Sequence, residues 1–125
     1  MQITLKGNPV STNNVYATLC RGNFPSRYMT KRGKDRKTAY QWEAKSQWKN
    51  KPLEGDVELV IRLYFETKRK ADWDNFHKIS CDALTGIVWN DDSQVQKATV
   101  LKMYDKQNPR TEIEILSKEN EQENI

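Results

Sequence analysis

Residues 56–66 alternate without a break. Val57, Leu59, Ile61, Leu63 and Phe65 fall on one side, and Glu58, Val60, Arg62, Tyr64 and Glu66 on the other. Side chains of an extended chain point to opposite faces in turn, so the pattern describes a strand with one apolar face that must be covered. Such a strand demands a sheet and a second layer packed on it. Three further segments supply strands. Residues 2–6 place Ile3 and Leu5 on one face, and Val95–Tyr104 and Thr111–Leu116 follow later, joined by a turn at Asn108-Pro109.

Two stretches have helical spacing. From Thr38 to about Trp48, Ala39, Trp42 and Ser46 line one stripe with Tyr40, Ala44 and Trp48 beside it, and Pro52 and Gly55 end the run. From about Asp74 to Leu84, Phe76, Ile79, Ala83 and Ile87 form an apolar stripe, with Asp74 as N-cap and Gly86 as the stop. Residues 8–14 are rich in turn formers. Residues 21–37, with Gly22, Pro25 and Gly33, read as a long irregular segment, which is uncommon unless it has a job. The order predicts one small α+β domain (α/β in loose usage), a mixed sheet with two helices on one face. It spans residues 1–117, and residues 118–125 form an acidic, disordered tail.

Cys20 and Cys81 form no CxxC pair, and with a single histidine, His77, they are too few for a closed zinc site. Both are expected as reduced thiols of a cytoplasmic protein. The N-terminus reads as a strand and not as a signal peptide, and no apolar run approaches the roughly 18 residues needed to cross a bilayer. No membrane partner and no organic cofactor are expected. Net charge is only +4, but it is unevenly spread. Ten Lys/Arg against Asp35 and Glu43 between Arg21 and Lys51 give that stretch +8, while residues 112–125 carry −4. A concentrated positive segment attracts a polyanion, although a solvated basic loop would read the same way.

The chemistry-bearing stretch is Lys68-Arg69-Lys70-Ala71-Asp72-Trp73-Asp74-Asn75-Phe76-His77-Lys78, where a strand gives way to a helix. Two apart in extended chain, Asp72 and Asp74 point the same way. Lys78 follows Asp74 by four residues, one helical turn on. A second acidic group, Asp91-Asp92, lies between the second helix and the next strand; if that strand pairs beside the first, Asp92 returns near Asp72 and Asp74. Clustered carboxylates repel unless a cation joins them, and hard oxygens suit Mg²⁺, with Mn²⁺ able to substitute. Such a site hydrolyses phosphodiesters, with Lys78 on the scissile phosphate and Lys68, Arg69 and Lys70 on the flanking backbone. The bland alternative makes Asp74 only an N-cap and Asp91-Asp92 only turn residues. An EF-hand loop is disfavoured, because the position that needs glycine is His77.

These residues resemble the RusA family of Holliday-junction resolvases, often carried by phages and prophages. The family pattern D-x-D-N-x-x-K, then D-A-L, then D-D-x-Q stands here as Asp72 to Lys78, Asp82-Ala83-Leu84 and Asp91 to Gln94. Near the N-terminus, Pro9-x-Ser11-x-Asn13-x-x-Tyr16 fits P-x-S-x-N-x-x-Y. The resemblance implies that Asp72, Asp74 and Asp92 bind metal, with Asp91 supporting or sharing it, and that Lys78 is the catalytic lysine. Asp82, Asn75 and Asn13 would support the site. Lys102 would touch phosphate, and Arg27, Lys31 and Arg32 in the basic stretch would bind DNA. It also implies a homodimer that nicks two strands of a four-way junction symmetrically, in recombination and repair. Bulky Trp73 between the aspartates is a departure, expected to pack. Phe24, Phe65 and Phe76 are candidates for an aromatic that opens the junction, though Phe65 and Phe76 fit core periodicity. Two other readings stand beside this one: a metal-dependent nuclease for other branched DNA, and a non-catalytic junction-binding protein, against which the acidic cluster argues.

Overall fold

A computed structural model describes residues 1–10, 16–21, 24–68, 76 and 78–117, with the backbone alone for 16–28. Its elements run β1 (Gln2–Lys6), β2 (Tyr16–Arg21), β3 (Phe24–Met29), α1 (Lys31–Gln47), β4 (Val57–Phe65), α2 (Lys78–Leu84), a 3-10 turn (Asp92–Gln94), β5 (Val95–Tyr104) and β6 (Arg110–Ser117). Four strands form one mixed sheet in the order β1-β6-β4-β5, and β2 pairs with β3 as a separate hairpin. β4 lies antiparallel to β6 and parallel to β5. A parallel neighbour requires a crossover, and α2 lies within the one that joins β4 to β5.

The alternating face of β4 is the centre of the core. Leu59, Ile61, Leu63 and Phe65 are buried with Ile3 and Leu5 of β1 and Ile113 and Ile115 of β6. Tyr40, Ala44 and Trp48 from α1 and Ile79, Ala83 and Leu84 from α2 cover them, so both helices lie on one face. The opposite face carries an ion-pair network: Arg62 pairs with Glu114 at 2.9 Å, and Arg110 pairs with Asp105 and Glu112 at 2.8 Å each.

The two ends of the sheet are finished differently. The outer edge of β1 would leave its peptide groups unpaired, and α1 side chains take the place of a strand. The Gln47 amide accepts from Thr4 N at 2.8 Å and donates to Thr4 O at 2.7 Å; Glu43 accepts from Lys6 N, and Arg36 donates to Lys6 O. Gly7 follows at φ +97, and the Arg36 guanidinium occupies the place where its side chain would stand. β5, at the other end, is exposed along most of its length.

Three expectations need correction. The segment 21–37 is not irregular: it holds the second strand of a hairpin and the first two turns of α1. The helix starts at Lys31, seven residues before Thr38, because Thr30 caps it by accepting from Gly33 N at 3.1 Å. Its early turns carry bases and almost no apolar residues, so they show no stripe to read. The buried stripe is Gly33, Tyr40 and Ala44, while Trp42 is 69% exposed. The second helix is described from Lys78 to Leu84, and the proposed cap Asp74 lies outside the described residues. Gly86, at φ +89, does stop it.

Candidate active site

Helix α2 covers β4 but leaves the same face of β5 open. Ala98, Lys102 and Tyr104, paired with Leu59, Leu63 and Phe65, are all exposed. Between α2 and this open strand lies a cavity of about 370 Å³. Its floor is Leu59, Ile61, Val95 and Ala98, and its polar lining is Lys78, Asp82 and Asp92, with Cys81 beside them. Residues from the D-x-D-N-x-x-K, D-A-L and D-D-x-Q patterns thus meet at one place.

Lys78 opens α2, and its Nζ lies 3.7 Å from Asp82 one turn later. The lysine is half exposed, so the pair is an open, screened contact rather than a buried lock. Asp92 comes from the 3-10 turn that leads into β5. Its Oδ1 accepts from the Thr85 hydroxyl at 2.7 Å. The Thr85 oxygen in turn accepts from Trp89 Nε1 at 3.1 Å, and Trp89 is fully buried. The second carboxylate oxygen of Asp92 has no hydrogen-bond donor among the described residues. Burial, helped by the carboxylates of Asp82 and Asp92, pushes the Cys81 thiol up to about 12. It is therefore protonated and inert near neutral pH.

Asp91 and Gln94 have local tasks. Ser93 donates to Asp91 Oδ2 at 2.9 Å, and Asp91 does not line the cavity. Gln94 Oε1 accepts from the backbone of Asn90 and Asp91, while its Nε2 donates to Leu53 O and Gly55 O, each at 2.8 Å. One amide thus closes the turn that presents Asp92 and ties it to the loop before β4. The glutamine of the D-D-x-Q pattern is a structural knot. Thr85 and Trp89 were not anticipated from the sequence. The available signal was spacing: Thr85 lies seven residues after Lys78 and three after Asp82, on the same helix face.

Asp72, Asp74, Asn75, Trp73, Arg69, Lys70, His77 and Asn13 lie outside the described residues. The flanks of the D-x-D segment are described. Phe65, the last residue of β4, and buried Phe76 pack edge to face with ring centres 5.0 Å apart. Both rings are core residues, as their periodicity indicated, and are not free to enter a junction. β5 does pair beside β4, but in parallel, with Val95 opposite Val57. Asp92 therefore starts at the end of β4 opposite to the one from which the D-x-D segment leaves. α2, running between these ends, presents Lys78 and Asp82 to the cavity that Asp92 lines. Among the described residues, no group of three or more His, Cys, Asp and Glu is placed to hold a metal ion.

The remaining basic candidates are dispersed. Lys68 Nζ lies 5.4 Å over the Tyr104 ring. Lys102 is exposed on β5, Lys31 and Arg32 are exposed at the start of α1, and Arg27 lies in β3. No helix among the described residues is long and apolar enough to cross a membrane.

No curated protein matches the chain. Residues 6–116 match the family described as Endodeoxyribonuclease RusA, an interval that takes in both acidic motifs, the cavity, all of β4 and β5, β6 up to Leu116, and only the last residue of β1. The chain belongs to the RusA family of endodeoxyribonucleases, Holliday-junction resolvases that cut phosphodiester bonds within DNA.

Proposed function

We propose that the protein is a Mg²⁺-dependent resolvase, acting as a homodimer that places paired, symmetric nicks in four-way DNA junctions in the cytoplasm of a bacterial or phage-infected cell. The observation that carries this reading is the convergence of Lys78, Asp82 and Asp92 on one cavity beside the uncovered face of β5. An open, exposed strand face gives a duplex access that a closed pocket would deny.

Asp92 fits a hard cation. It is exposed, one oxygen is fixed by Thr85, and the other has no donor among the described residues. With Asp72 and Asp74 it would complete the ligand set, Asp91 lying next to it in the turn. The bound ion would supply an activated water and charge stabilisation at the leaving oxygen. Lys78 holds a non-bridging oxygen of the scissile phosphate, and Asp82 keeps the ammonium over the cavity. Asn75 and Asn13 support the acidic segment. Lys68, Arg69, Lys70, Arg27, Lys31, Arg32 and Lys102 contact phosphates, which gives affinity without sequence reading. Exposed Leu101 and Met103, on the sheet face away from the helices, leave apolar surface for a second copy.

The carboxylate variants test this reading. Asp72→Asn, Asp74→Asn and Asp92→Asn should each abolish junction cleavage while junction affinity holds or tightens, because repulsion of phosphate falls. Wild-type cleavage by any of them would remove that residue from the ligand set.

A further inference from the structure

The uncovered face of β5 carries a ring that neither phosphate binding nor metal chemistry uses. Along this face Ala98, Val100, Lys102 and Tyr104 form a row, paired in register with the core residues Leu59, Ile61, Leu63 and Phe65 of β4. At ~3.3 Å per residue the row runs ~20 Å, from the cavity that Ala98 and Asp92 line to the end where β4 gives way to the D-x-D segment. Tyr104 stands at that far end and is 46% exposed.

A single exposed ring is ordinary on a protein surface. The setting of this one is not. It lies on the sheet face that the helices cover elsewhere, and it is left open to solvent. Its backbone is held from both sides. Tyr104 pairs with Phe65, and the next residue, Asp105, donates its N–H to Phe65 O at 2.9 Å. The Asp105 carboxylate is fixed in turn by Arg110 at 2.8 Å and by the N–H groups of Gln107 and Asn108. Phe65 itself is locked edge to face against Phe76. The ring is thus a flat group on a rigid support. Lys68, exposed and three residues past β4, holds its Nζ 5.4 Å over the ring, and Lys102 is two residues back on the same face.

An aromatic ring between lysines on an open sheet face is a platform for unstacked bases. Every base has a π-face, so such a platform tolerates sequence. A regular duplex keeps its bases stacked on one another, and only an unpaired nucleotide can reach the ring. We propose that Tyr104 stacks on an unpaired base at the branch of the junction, while Lys68 and Lys102 meet the backbone of the same strand. The inference rests on the junction-nuclease reading and deepens it: the ring selects DNA with open bases over plain duplex, which phosphate contacts alone do not do.

The test titrates Tyr104→Ala, Tyr104→Leu and Tyr104→Phe in EDTA against a dT oligonucleotide, a four-way junction and a linear duplex. The Ala and Leu variants should bind the oligonucleotide and the junction about tenfold more weakly than wild type, and Tyr104→Phe should bind as wild type does. Duplex affinity should stay within about twofold, and the slope of log K against log salt should not change, because no phosphate contact is lost. The Leu variant keeps apolar bulk and loses only the flat ring, so it decides the matter if Tyr104→Ala melts early. Wild type that binds the oligonucleotide no better than the Leu variant, or not at all, would overturn the proposal. So would unchanged junction affinity in the Leu variant, or an equal loss on the duplex. Wild type that shows the Tyr104-dependent preference but never nicks the junction in Mg²⁺ would sink the nuclease reading alone.

Discussion

Thr85 has a single hydroxyl proton and two acceptors within reach, Cys81 O at 3.0 Å and Asp92 Oδ1 at 2.7 Å. The carboxylate is nearer and charged, so it makes the stronger bond. Groups that orient a metal-binding carboxylate typically matter by 10- to 100-fold in metal affinity or activity, on the order of what a direct ligand's neighbour contributes. Thr85→Val should therefore slow single-turnover cleavage about tenfold and raise the Mg²⁺ needed for half-maximal rate, and Thr85→Ser should recover both. Equal loss in the Val and Ser variants would mean that packing, not the hydroxyl, is at stake. Lys78→Ala should lose rate with little change in junction affinity; a collapse of affinity would make Lys78 a binding residue instead. The raised Cys81 thiol has its own signature. The folded state keeps the proton up to about pH 12, whereas an unfolded thiol ionises near about 8.5, so this contribution to stability is complete below pH ~8.5 and is lost as pH rises toward 12. In urea melts, the stability difference between wild type and Cys81→Ala should shift against wild type between pH 8 and 10; a constant difference would contradict it. At this scale the sequence was legible where a motif names the residue. Asp92, Asp82 and Lys78 belong to recognisable motifs; Thr85 lay at helical spacing from Lys78 and Asp82, but nothing in that spacing marked its hydroxyl as the partner of Asp92.

Elements were legible in proportion to their apolar periodicity. β4 reads from alternation alone, and β5 spans the residues expected of it. The start of α1 was invisible because its first turns bury only Gly33. The β2–β3 hairpin lay in a stretch where Gly22, Pro25 and many bases suggested a loop. The parallel pairing of β4 with β5 cannot be read from either strand, since it is the crossover through α2 that dictates it. Nor does any pattern announce that α1 substitutes for a strand at the edge of β1. That arrangement is testable. Gln47→Ala leaves Thr4 N–H and C=O to water at an exposed edge, and it should cost about 1 kcal/mol in urea unfolding, the usual net worth of such hydrogen bonds. No change would show that water replaces the amide at no cost.

For the molecule as a whole, the net charge of +4 says little and its placement says much. Asp82 and Asp92 lie beside the open face of β5, while α1, over the β1 edge of the sheet, carries bases in its first turns. Raising salt from about 50 to about 200 mM should weaken junction binding by orders of magnitude if several phosphates are contacted. A flat response would remove the basic surface from the DNA interface. The central claim is that this fold cuts branched DNA by metal-assisted hydrolysis. Its most direct test is cleavage of a synthetic mobile four-way junction beside a linear duplex of the same sequence, with Mg²⁺ and with EDTA. The account predicts paired, symmetric nicks in the junction only, lost with EDTA. Binding without cleavage in Mg²⁺ and Mn²⁺ alike would contradict it.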